Sequence, residues 1–359
     1  MPFISVGLTN FRNLENKQVD LSAHEVFFIG ENGQGKTNFL ESLYLSAYGS
    51  SFRTKKESEI ITESNNNFSI RSLYESDNKK SDLVSVQFVD NKKKILKNGK
   101  TLKDRKDLIN TIPCVLFSHS DLDFVIGEPE RKRFFIDQSL SMYDLLYIDT
   151  MRKYKKILKN RNILLKNEQY ESLDVYDHTL VIEGMEIVKK RKTAIYNFNR
   201  IFTSLYEKVT GIENVKIGYA SQWEQKYIEE ILALLIEKRN SDKIMKTTLS
   251  GPHRDKIGFV KDSKNFVATA STGQCRLAAI LLRICQAVYF TELTNKKPVL
   301  LMDDVLLELD PQKREIITSL LPEYDQLFCT FLPGEPYQKY IRENTLLYSV
   351  EKGCVNEIR

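Results

Sequence analysis

The hydrophobic positions at the start of the chain follow the pattern of buried strands. Residues 3–6 are mostly apolar, and residues 26–29 form a wholly apolar run. Short runs of this kind are typical of strands that are buried on both faces. The second run leads into a glycine-rich loop, after which apolar residues recur at helical spacing over residues 38–48. The pattern predicts a strand, a loop and a helix in direct succession.

A different pattern follows between residues 68 and 116, where short apolar stretches are separated by turn signals. Residues 83–89 are predicted to form a strand, and Asn98-Gly99 is a favoured two-residue hairpin turn. These features predict an antiparallel side sheet.

The spacing becomes helical between residue 129 and about residue 246. Two long apolar stripes predict two helices that pack as an antiparallel hairpin. The first stripe comprises Tyr147, Met151, Tyr154, Leu158 and Leu165, and the second comprises Tyr176, Leu180, Ile187, Ile195, Phe198, Phe202, Leu205 and Val209. Strand and turn character returns after Gly251, so the helical region is predicted to be an insertion in an α/β domain. We therefore expect three parts, at residues 1–120, 121–246 and 247–359.

Composition narrows the class of protein. The 359 residues are 42% hydrophobic, which suffices for the core of two domains. The five cysteines have no CxxC spacing, which argues against a zinc site and a disulfide framework. We find no secretory signal and no apolar run of about 18 residues, so we expect a cytoplasmic protein without a membrane span. The net charge of +5 permits a nucleic-acid partner without requiring one.

The glycine-rich loop satisfies the phosphate-binding pattern GxxxxGK[ST] at every position. It consists of Gly30, Glu31, Asn32, Gly33, Gln34, Gly35, Lys36 and Thr37. Glycines let backbone N–H groups turn toward phosphate oxygens, and the following helix directs its positive N-terminus at the same charge. The pattern assigns Lys36 to the β- and γ-phosphates of ATP and Thr37 to Mg²⁺. The alternative is a glycine turn that binds nothing.

An apolar strand at residues 299–302 runs into two adjacent carboxylates, Asp303 and Asp304. Buried carboxylates are costly unless a cation or hydrogen bonds compensate them. Beside a phosphate loop, the pair predicts that Asp303 ligates Mg²⁺ and that Asp304 orients or deprotonates the attacking water. The alternative is a pair of turn residues at the end of a strand.

A short polar segment, Ser271-Thr272-Gly273-Gln274, stands at the start of a predicted helix before these carboxylates. Serine is a good helix N-cap, and a simple cap would explain the segment if it stood alone. A serine hydroxyl at a helix N-terminus also forms an anion site. In ATPases with this order of motifs, that site meets the γ-phosphate held by a second subunit. We therefore expect Ser271, Gly273 and Gln274 to complete a nucleotide site in an ATP-dependent homodimer.

Basic residues are clustered at residues 92–94, 131–133, 152–161 and 189–192. Such clusters usually form solvated faces, and contact with DNA is the alternative. The candidates for DNA contact are Lys92, Lys93, Lys94, Lys153, Lys155, Lys156 and Arg161.

Together these motifs resemble those of the RecF family of bacterial recombination and repair ATPases. The similarity extends from the glycine loop through Asn38–Glu41, and it recurs in five further segments. These are Leu8–Asn13 (LTNFRN), Ser51–Arg53 (SFR), Gly251–Asp255 (GPHRD), Leu301–Val305 (LMDDV) and Glu308–Asp310 (ELD). The sequence departs from the family pattern at Cys275, Lys256 and Leu307.

The resemblance implies a fold, a set of cofactors and a role. The fold is an α/β, ABC-type P-loop ATPase head, similar to SMC and Rad50 heads, with an antiparallel β side sheet and an inserted helical lobe. The implied cofactors are ATP and Mg²⁺, with Arg12 at the nucleotide site. The resemblance implies that ATP induces a dimer on duplex or gapped DNA, and that the dimer hydrolyses ATP slowly, with stimulation by DNA. RecR and RecO are the implied partners in loading RecA onto single-stranded DNA.

Three alternatives stay open on the sequence. An ABC transporter ATPase subunit shares the three motifs, but it usually has a shorter span between loop and signature and a glutamate in place of Asp304. Another SMC- or Rad50-like head would need long coiled coils, for which we find no pattern. A DNA-binding module with an inactive nucleotide site is disfavoured because every phosphate and magnesium position is filled.

Overall fold

The structure is a computed structural model that describes residues 2–76, 80–109, 111–306 and 309–358. The strands are β1 (Phe3–Thr9), β2 (Gln18–Asp20), β3 (Glu25–Ile29), β4 (Phe68–Glu75), β5 (Ser81–Val89), β6 (Lys92–Lys97), β7 (Lys100–Thr101), β8 (Cys114–Phe117), β9 (Val215–Ala220), β10 (Lys256–Lys261), β11 (Lys264–Asn265), β12 (Val299–Met302), β13 (Gln326–Phe331), β14 (Thr345–Glu351) and β15 (Cys354–Glu357). The helices are α1 (Lys36–Tyr48), α2 (Lys106–Ile109), α3 (Pro129–Ser141), α4 (Leu145–Lys166), α5 (Leu173–Thr210), α6 (Ile228–Met245), α7 (Thr272–Thr294) and α8 (Pro311–Ser319).

The chain divides into two compact units. One unit comprises the residues up to 120 and those from 286 onward, and residues 121–285 form the other, inserted unit. The inserted unit extends to residue 285, beyond the boundary at residue 246 that the sequence suggested. The physical reason is that β10 pairs with β9 along all six residues of both strands, which draws the segment after residue 246 into the inserted unit.

The first unit contains two six-stranded sheets. The antiparallel side sheet has the order β2-β1-β4-β5-β6-β7, as expected from the alternating pattern. Its β6–β7 hairpin turns at Asn98-Gly99, where both residues have positive φ angles. The other sheet has the order β15-β14-β3-β13-β12-β8, and all of its pairings are parallel except that of β15 with β14.

One hydrophobic core joins these two sheets through α1. It contains Phe28 from the parallel sheet, Phe39 and Leu43 from α1, and Ile70 and Val86 from the side sheet. Strand β3 is buried along its whole length, which explains its uninterrupted apolar run. Because β3 leads directly to the start of α1, this core fixes both ends of the glycine-rich loop.

The inserted unit contains the two long helices and a three-stranded sheet of order β11-β10-β9. Helices α4 and α5 form the predicted hairpin, and the predicted stripe residues Tyr147, Tyr154 and Leu165 of α4 are buried. Helix α5 is 38 residues long and buries most of its own stripe.

Helix α7 meets the length and composition criteria for a membrane span. Its most apolar window has a mean hydropathy of 1.4, and 72% of that window is buried inside the protein. Extensive burial of this kind is what a core helix shows, since its apolar side chains already contact protein.

Candidate nucleotide-binding site

The glycine-rich loop has the backbone that its sequence predicts. Gly33 and Gly35 have φ angles of 78° and 124°, which side chains rarely tolerate. A Cβ on Gly30 would lie 2.3 Å from the Val350 carbonyl oxygen, so this position also excludes a side chain. Helix α1 begins at Lys36 without a side-chain cap, which leaves its first N–H groups to a phosphate.

Lys36 lies inside the loop and its side chain is only 3% exposed. Its Nζ donates to the carbonyl oxygens of Gly30 at 2.8 Å and Glu31 at 3.3 Å, and it lies 4.0 Å from the Asp304 carboxylate. The two carbonyl groups hold the ammonium at the centre of the loop, where a bound phosphate would compete for it.

Thr37 and Asp303 are brought together, as the sequence predicts for a magnesium site. The Thr37 hydroxyl donates to Asp303 Oδ1 at 2.9 Å. Burial raises the pKa of Asp303 to about 6, and the Asp304 charge acts in the same direction. The Thr37 hydrogen bond and the charges of Arg53 and Lys36 lower that pKa. A hydroxyl beside a buried carboxylate fits the oxygen ligands that Mg²⁺ prefers, and a divalent cation would favour the ionised carboxylate.

Asp304 is held in an uncommon backbone conformation by a residue that the sequence motifs do not include. Its φ angle of 53° lies in the left-handed region, which aspartate tolerates better than most residues. The Thr330 hydroxyl accepts from the Asp304 backbone N–H at 2.8 Å and donates to its carboxylate at 2.7 Å. The sequence signal for Thr330 is a hydroxyl near the end of strand β13, after three apolar or weakly polar residues, Leu327, Phe328 and Cys329.

Gln34 faces the C-terminal hairpin. Its carbonyl oxygen accepts from the Gly353 N–H at 2.9 Å, and its side-chain Oε1 accepts from the Lys352 N–H at 2.6 Å. Asn13 donates to the same carbonyl at 3.3 Å. The turn between β14 and β15 therefore fixes the loop, although no sequence motif links it to a nucleotide site. Gly353 is required there, since a Cβ would lie 1.8 Å from the Asn13 carbonyl oxygen.

Arg12, which the family resemblance implied at the nucleotide site, binds a buried carboxylate. Its Nε and Nη2 donate to the two oxygens of Glu41 at 2.9 and 2.8 Å. Arg53 lies 3.5 Å from the same carboxylate and donates to Asn38 Oδ1 at 2.6 Å. Asn38 is the residue after Thr37, so both arginines lie beside the first turn of α1.

The segment Ser271–Gln274 forms a reciprocal helix cap. Ser271 Oγ accepts from the Gln274 N–H at 3.2 Å, and Gln274 Oε1 accepts from the Ser271 N–H at 2.8 Å. Ser271, Thr272 and Gly273 are exposed at the N-terminus of α7. A helix cap, the simple explanation of this segment, is therefore present, and the exposed helix N-terminus also remains accessible to an anion.

Asp310 caps α8 by accepting from the Lys313 N–H at 2.9 Å, and Pro311 follows it as the first residue of the helix. Leu307 and Glu308, which belong to the same family motif, lie outside the described residues.

The candidate DNA-contact residues are in different environments. Arg161 does not fit the prediction, because its side chain is 0% exposed and pairs with Asp177 at 2.6 Å and Asp242 at 2.7 Å. Lys93 is partly buried and pairs with Glu57. The other candidates are exposed: Lys92, Lys94, Lys153, Lys155 and Lys156. Of these, Lys153 lies 3.6 Å from Glu183.

Arg161 continues the buried stripe of α4, three residues after Leu158 and four before Leu165. This spacing was a sequence signal that the arginine faces the protein interior.

Comparisons with known proteins show the family to which the chain belongs. The RecF/RecN/SMC N-terminal domain family matches residues 3–356. A DNA replication and repair protein RecF from Treponema pallidum is 47% identical over 350 residues, which cover 97% of this chain and 99% of the relative. The RecF protein of Leptospira interrogans serovar Lai is 31% identical over 361 residues, which cover 98% of both chains.

Solved structures give the same result for the fold. The recombination mediator protein RecF with ATP, from the RecFOR pathway, superposes with a TM-score of 0.91 at 26% identity and covers 100% of this chain and 98% of its own. An Smc head bound to the C-terminal winged-helix domain of ScpA has a TM-score of 0.60 at 13% identity, covering 100% and 97%. This second likeness concerns the fold alone.

The fold and the loop-and-carboxylate site define an ATP-binding head of the SMC-like ATPase class. Within that class, the chain belongs to the RecF family. Membership in this family decides against a transporter ATPase subunit.

Proposed function

We propose that this protein is an ATP-switched dimer that binds duplex and gapped DNA in recombinational repair. In this proposal it acts with RecR and RecO in the cytoplasm, without a membrane, and helps to load RecA onto single-stranded DNA. The observation that carries the proposal is the hydrogen bond between Thr37 of the phosphate loop and Asp303 of the carboxylate strand. It joins the two halves of a nucleotide site on a chain whose RecF relatives are DNA replication and repair proteins.

The roles proposed for the site residues follow from their positions. The loop N–H groups and Lys36 bind the phosphates, and Thr37 and Asp303 hold Mg²⁺. The ion would neutralise charge on the β- and γ-phosphates when bound. Asp304, whose side chain is 32% exposed and is oriented by Thr330, accepts a proton from the attacking water. Slow hydrolysis of ATP fits a protein in which bound ATP controls the assembly of a dimer.

Replacing Asp304 with asparagine should slow ATP cleavage by at least about 100-fold while ATP still binds, because the amide cannot accept the proton. Single-turnover hydrolysis and ATP titration would measure the two effects separately. Asp90→Asn is the matched control, since Asp90 is an exposed residue with a similar φ angle of 51°. Hydrolysis at the parent rate by Asp304→Asn would remove Asp304 from the catalytic role.

A cationic face of the side sheet supports DNA binding in the first unit. Lys94 of β6 pairs with Gln87 of β5, and Gln87 pairs with Ser69 of β4. Arg71 lies two residues after Ser69 on the same strand. Because side chains two apart share a face, Arg71, Lys92 and Lys94 lie on one surface of the sheet. All three are exposed, and none has an ion pair within 4.0 Å among the described residues. Phosphate groups would supply the missing partners.

We expect duplex binding to be largely independent of sequence and to weaken steeply with salt, because displaced counterions drive it. Fluorescence anisotropy over a salt series, with two unrelated duplexes and with or without ATP, would measure this. Replacing Lys92 and Lys94 by alanine together should lower the log–log salt slope by about two units. A duplex affinity that does not change with salt concentration, or a strong preference for one of the two duplexes, would contradict the prediction.

A further inference from the structure

The GPHRD segment at residues 251–255 is fixed by groups that the nucleotide site does not use. Gly251 has a φ angle of 137°, and a Cβ there would lie 2.6 Å from the Tyr154 hydroxyl. That hydroxyl lies 2.7 Å from His253 Nδ1, and His253 Nε2 lies 2.9 Å from the Thr248 carbonyl oxygen. The side chains of Tyr154 and His253 therefore hold the backbone of the segment in place.

A buried arginine holds the other end of the segment. Arg191 donates to the Pro252 carbonyl oxygen at 2.6 Å and to Asp255 Oδ2 at 3.0 Å, and it also binds both oxygens of Asp137. The Tyr219 hydroxyl donates to Asp255 at 2.6 Å. Buried ion pairs are expensive to desolvate and add little stability on average, so a network of this size argues for a positional purpose.

Two cations, Arg254 of this fixed segment and Arg133 of the adjacent helix α3, have no carboxylate partner among the described residues. Arg254 is exposed, and among the described residues its guanidinium donates to the Thr248 carbonyl oxygen alone, at 3.3 and 3.4 Å. Arg133 of α3 is half-buried and donates to the Asp255 carbonyl oxygen at 2.9 Å. Within the described ranges neither arginine has an ion pair within 4.0 Å, because Arg191 already occupies the nearby carboxylates.

The surroundings increase the positive charge at this place. Burial and the charge of Arg191 lower the pKa of Arg133, while the charges of Asp255, Asp137 and Glu130 act in the opposite direction without forming an ion pair with it. Burial also lowers the pKa of His253 to about 4, and the charges of Arg254 and Arg133 contribute to that shift. The imidazole is therefore neutral at pH 7. The positive charge here comes from the two guanidinium groups, whose N–H donors can bind an anion.

We propose that Arg254 and Arg133 form a phosphate-binding pair, presented by the rigid segment 251–255. Guanidinium groups bind phosphate oxygens through two N–H donors each, and a pre-ordered backbone reduces the entropy lost on binding. The phosphate belongs either to the backbone of duplex DNA or to the nucleotide of a second subunit. The proposal rests on the function proposed above, since both sources belong to it.

The test compares Arg254→Ala, Arg254→Lys and Arg133→Lys with Arg200→Ala. Arg200 is a matched control because it is an exposed arginine of α5 with no ion pair among the described residues. Duplex affinity is measured by anisotropy over a salt series without nucleotide. ATP-dependent dimerisation is measured by light scattering without DNA, and melting temperatures establish that each variant is folded.

Arg254→Ala should weaken duplex binding about tenfold and lower the salt slope by about one unit. Arg254→Lys should recover part of the affinity because it keeps the charge, and Arg200→Ala should change little. Loss confined to ATP-dependent dimerisation would assign the pair to a nucleotide phosphate. The pair is rejected if Arg254→Ala affects neither property, or affects both no more than Arg200→Ala does.

Failure of this proposal is distinguishable from failure of the proposed function. A parent protein that binds neither duplex DNA nor ATP would contradict the function itself. A parent protein that binds both, with unchanged affinities in a folded Arg254→Ala variant, would contradict only the phosphate-binding pair.

Discussion

Replacing Lys36 with alanine should weaken ATP binding by roughly two orders of magnitude, since each hydrogen bond to a charged group is worth about 1.5–3 kcal/mol. Lys36 is the side-chain cation at the centre of the glycine loop, where the two carbonyl groups of Gly30 and Glu31 hold it. A bound nucleotide would replace these neutral partners with phosphate oxygens. Titration with a fluorescent ATP analogue would measure the dissociation constants of the parent and variant.

A surface lysine provides the control for this substitution. Lys56 belongs to the same unit and is 77% exposed, so Lys56→Ala removes an equal charge away from the loop. Lys36→Ala also removes two hydrogen bonds to loop carbonyl groups, so its melting temperature is measured to establish that the variant is folded. Unchanged ATP affinity in a folded Lys36→Ala protein would remove the glycine loop from the nucleotide site.

The sequence predicts the centre of this site because its residues obey local rules. The loop glycines occupy backbone conformations that other residues avoid, and strand β3 and helix α1 follow directly from their apolar spacing. The proximity of Thr37 and Asp303, which are 266 positions apart, follows from the motif order together with a parallel sheet. The helical insertion is likewise predictable, since stripes of apolar residues define α4 and α5.

Long-range partners of single side chains are not predictable in the same way. No periodicity connects Gln34 with the turn at Lys352 and Gly353, because that contact depends on β14 pairing in parallel with β3. Residues 256–261 belong to the inserted unit because β10 pairs with β9, and strand pairing at such separation leaves no local signal. The basic cluster at residues 152–161 predicts a surface position for Arg161, but its place on the buried stripe of α4 decides its environment.

Changing Ser271 to arginine should abolish ATP-dependent dimerisation while the monomer still binds ATP. The serine is exposed at the N-terminus of α7, and the phosphate loop has its own complete set of ligands elsewhere in the chain. A bulky cationic side chain would fill the space into which a partner's γ-phosphate must enter. Light scattering with ATP, with ADP and without nucleotide would measure dimerisation, and ATP titration would measure binding.

Ser271→Ala separates loss of the helix cap from steric exclusion. Both substitutions remove the bond from the Gln274 N–H to Ser271 Oγ, which costs about 0.5–2 kcal/mol of stability. The alanine leaves the phosphate space open, so Ser271→Ala should keep most of its ATP-dependent dimerisation. Equal loss of ATP-dependent dimerisation in both variants would mean that loss of the helix cap, and not steric exclusion, prevents the dimer.

Mixing Ser271→Arg subunits with Lys36→Ala subunits tests whether the serine acts on the partner's nucleotide. In the mixed dimer, one composite site carries both substitutions, and the other combines an intact Lys36 from one subunit with an intact Ser271 from its partner. Partial recovery of ATP-dependent dimer or ATP turnover is therefore expected, since one complete site is restored. If both variants are folded and the mixture recovers neither property, Ser271 acts within its own subunit and the two-subunit site is wrong.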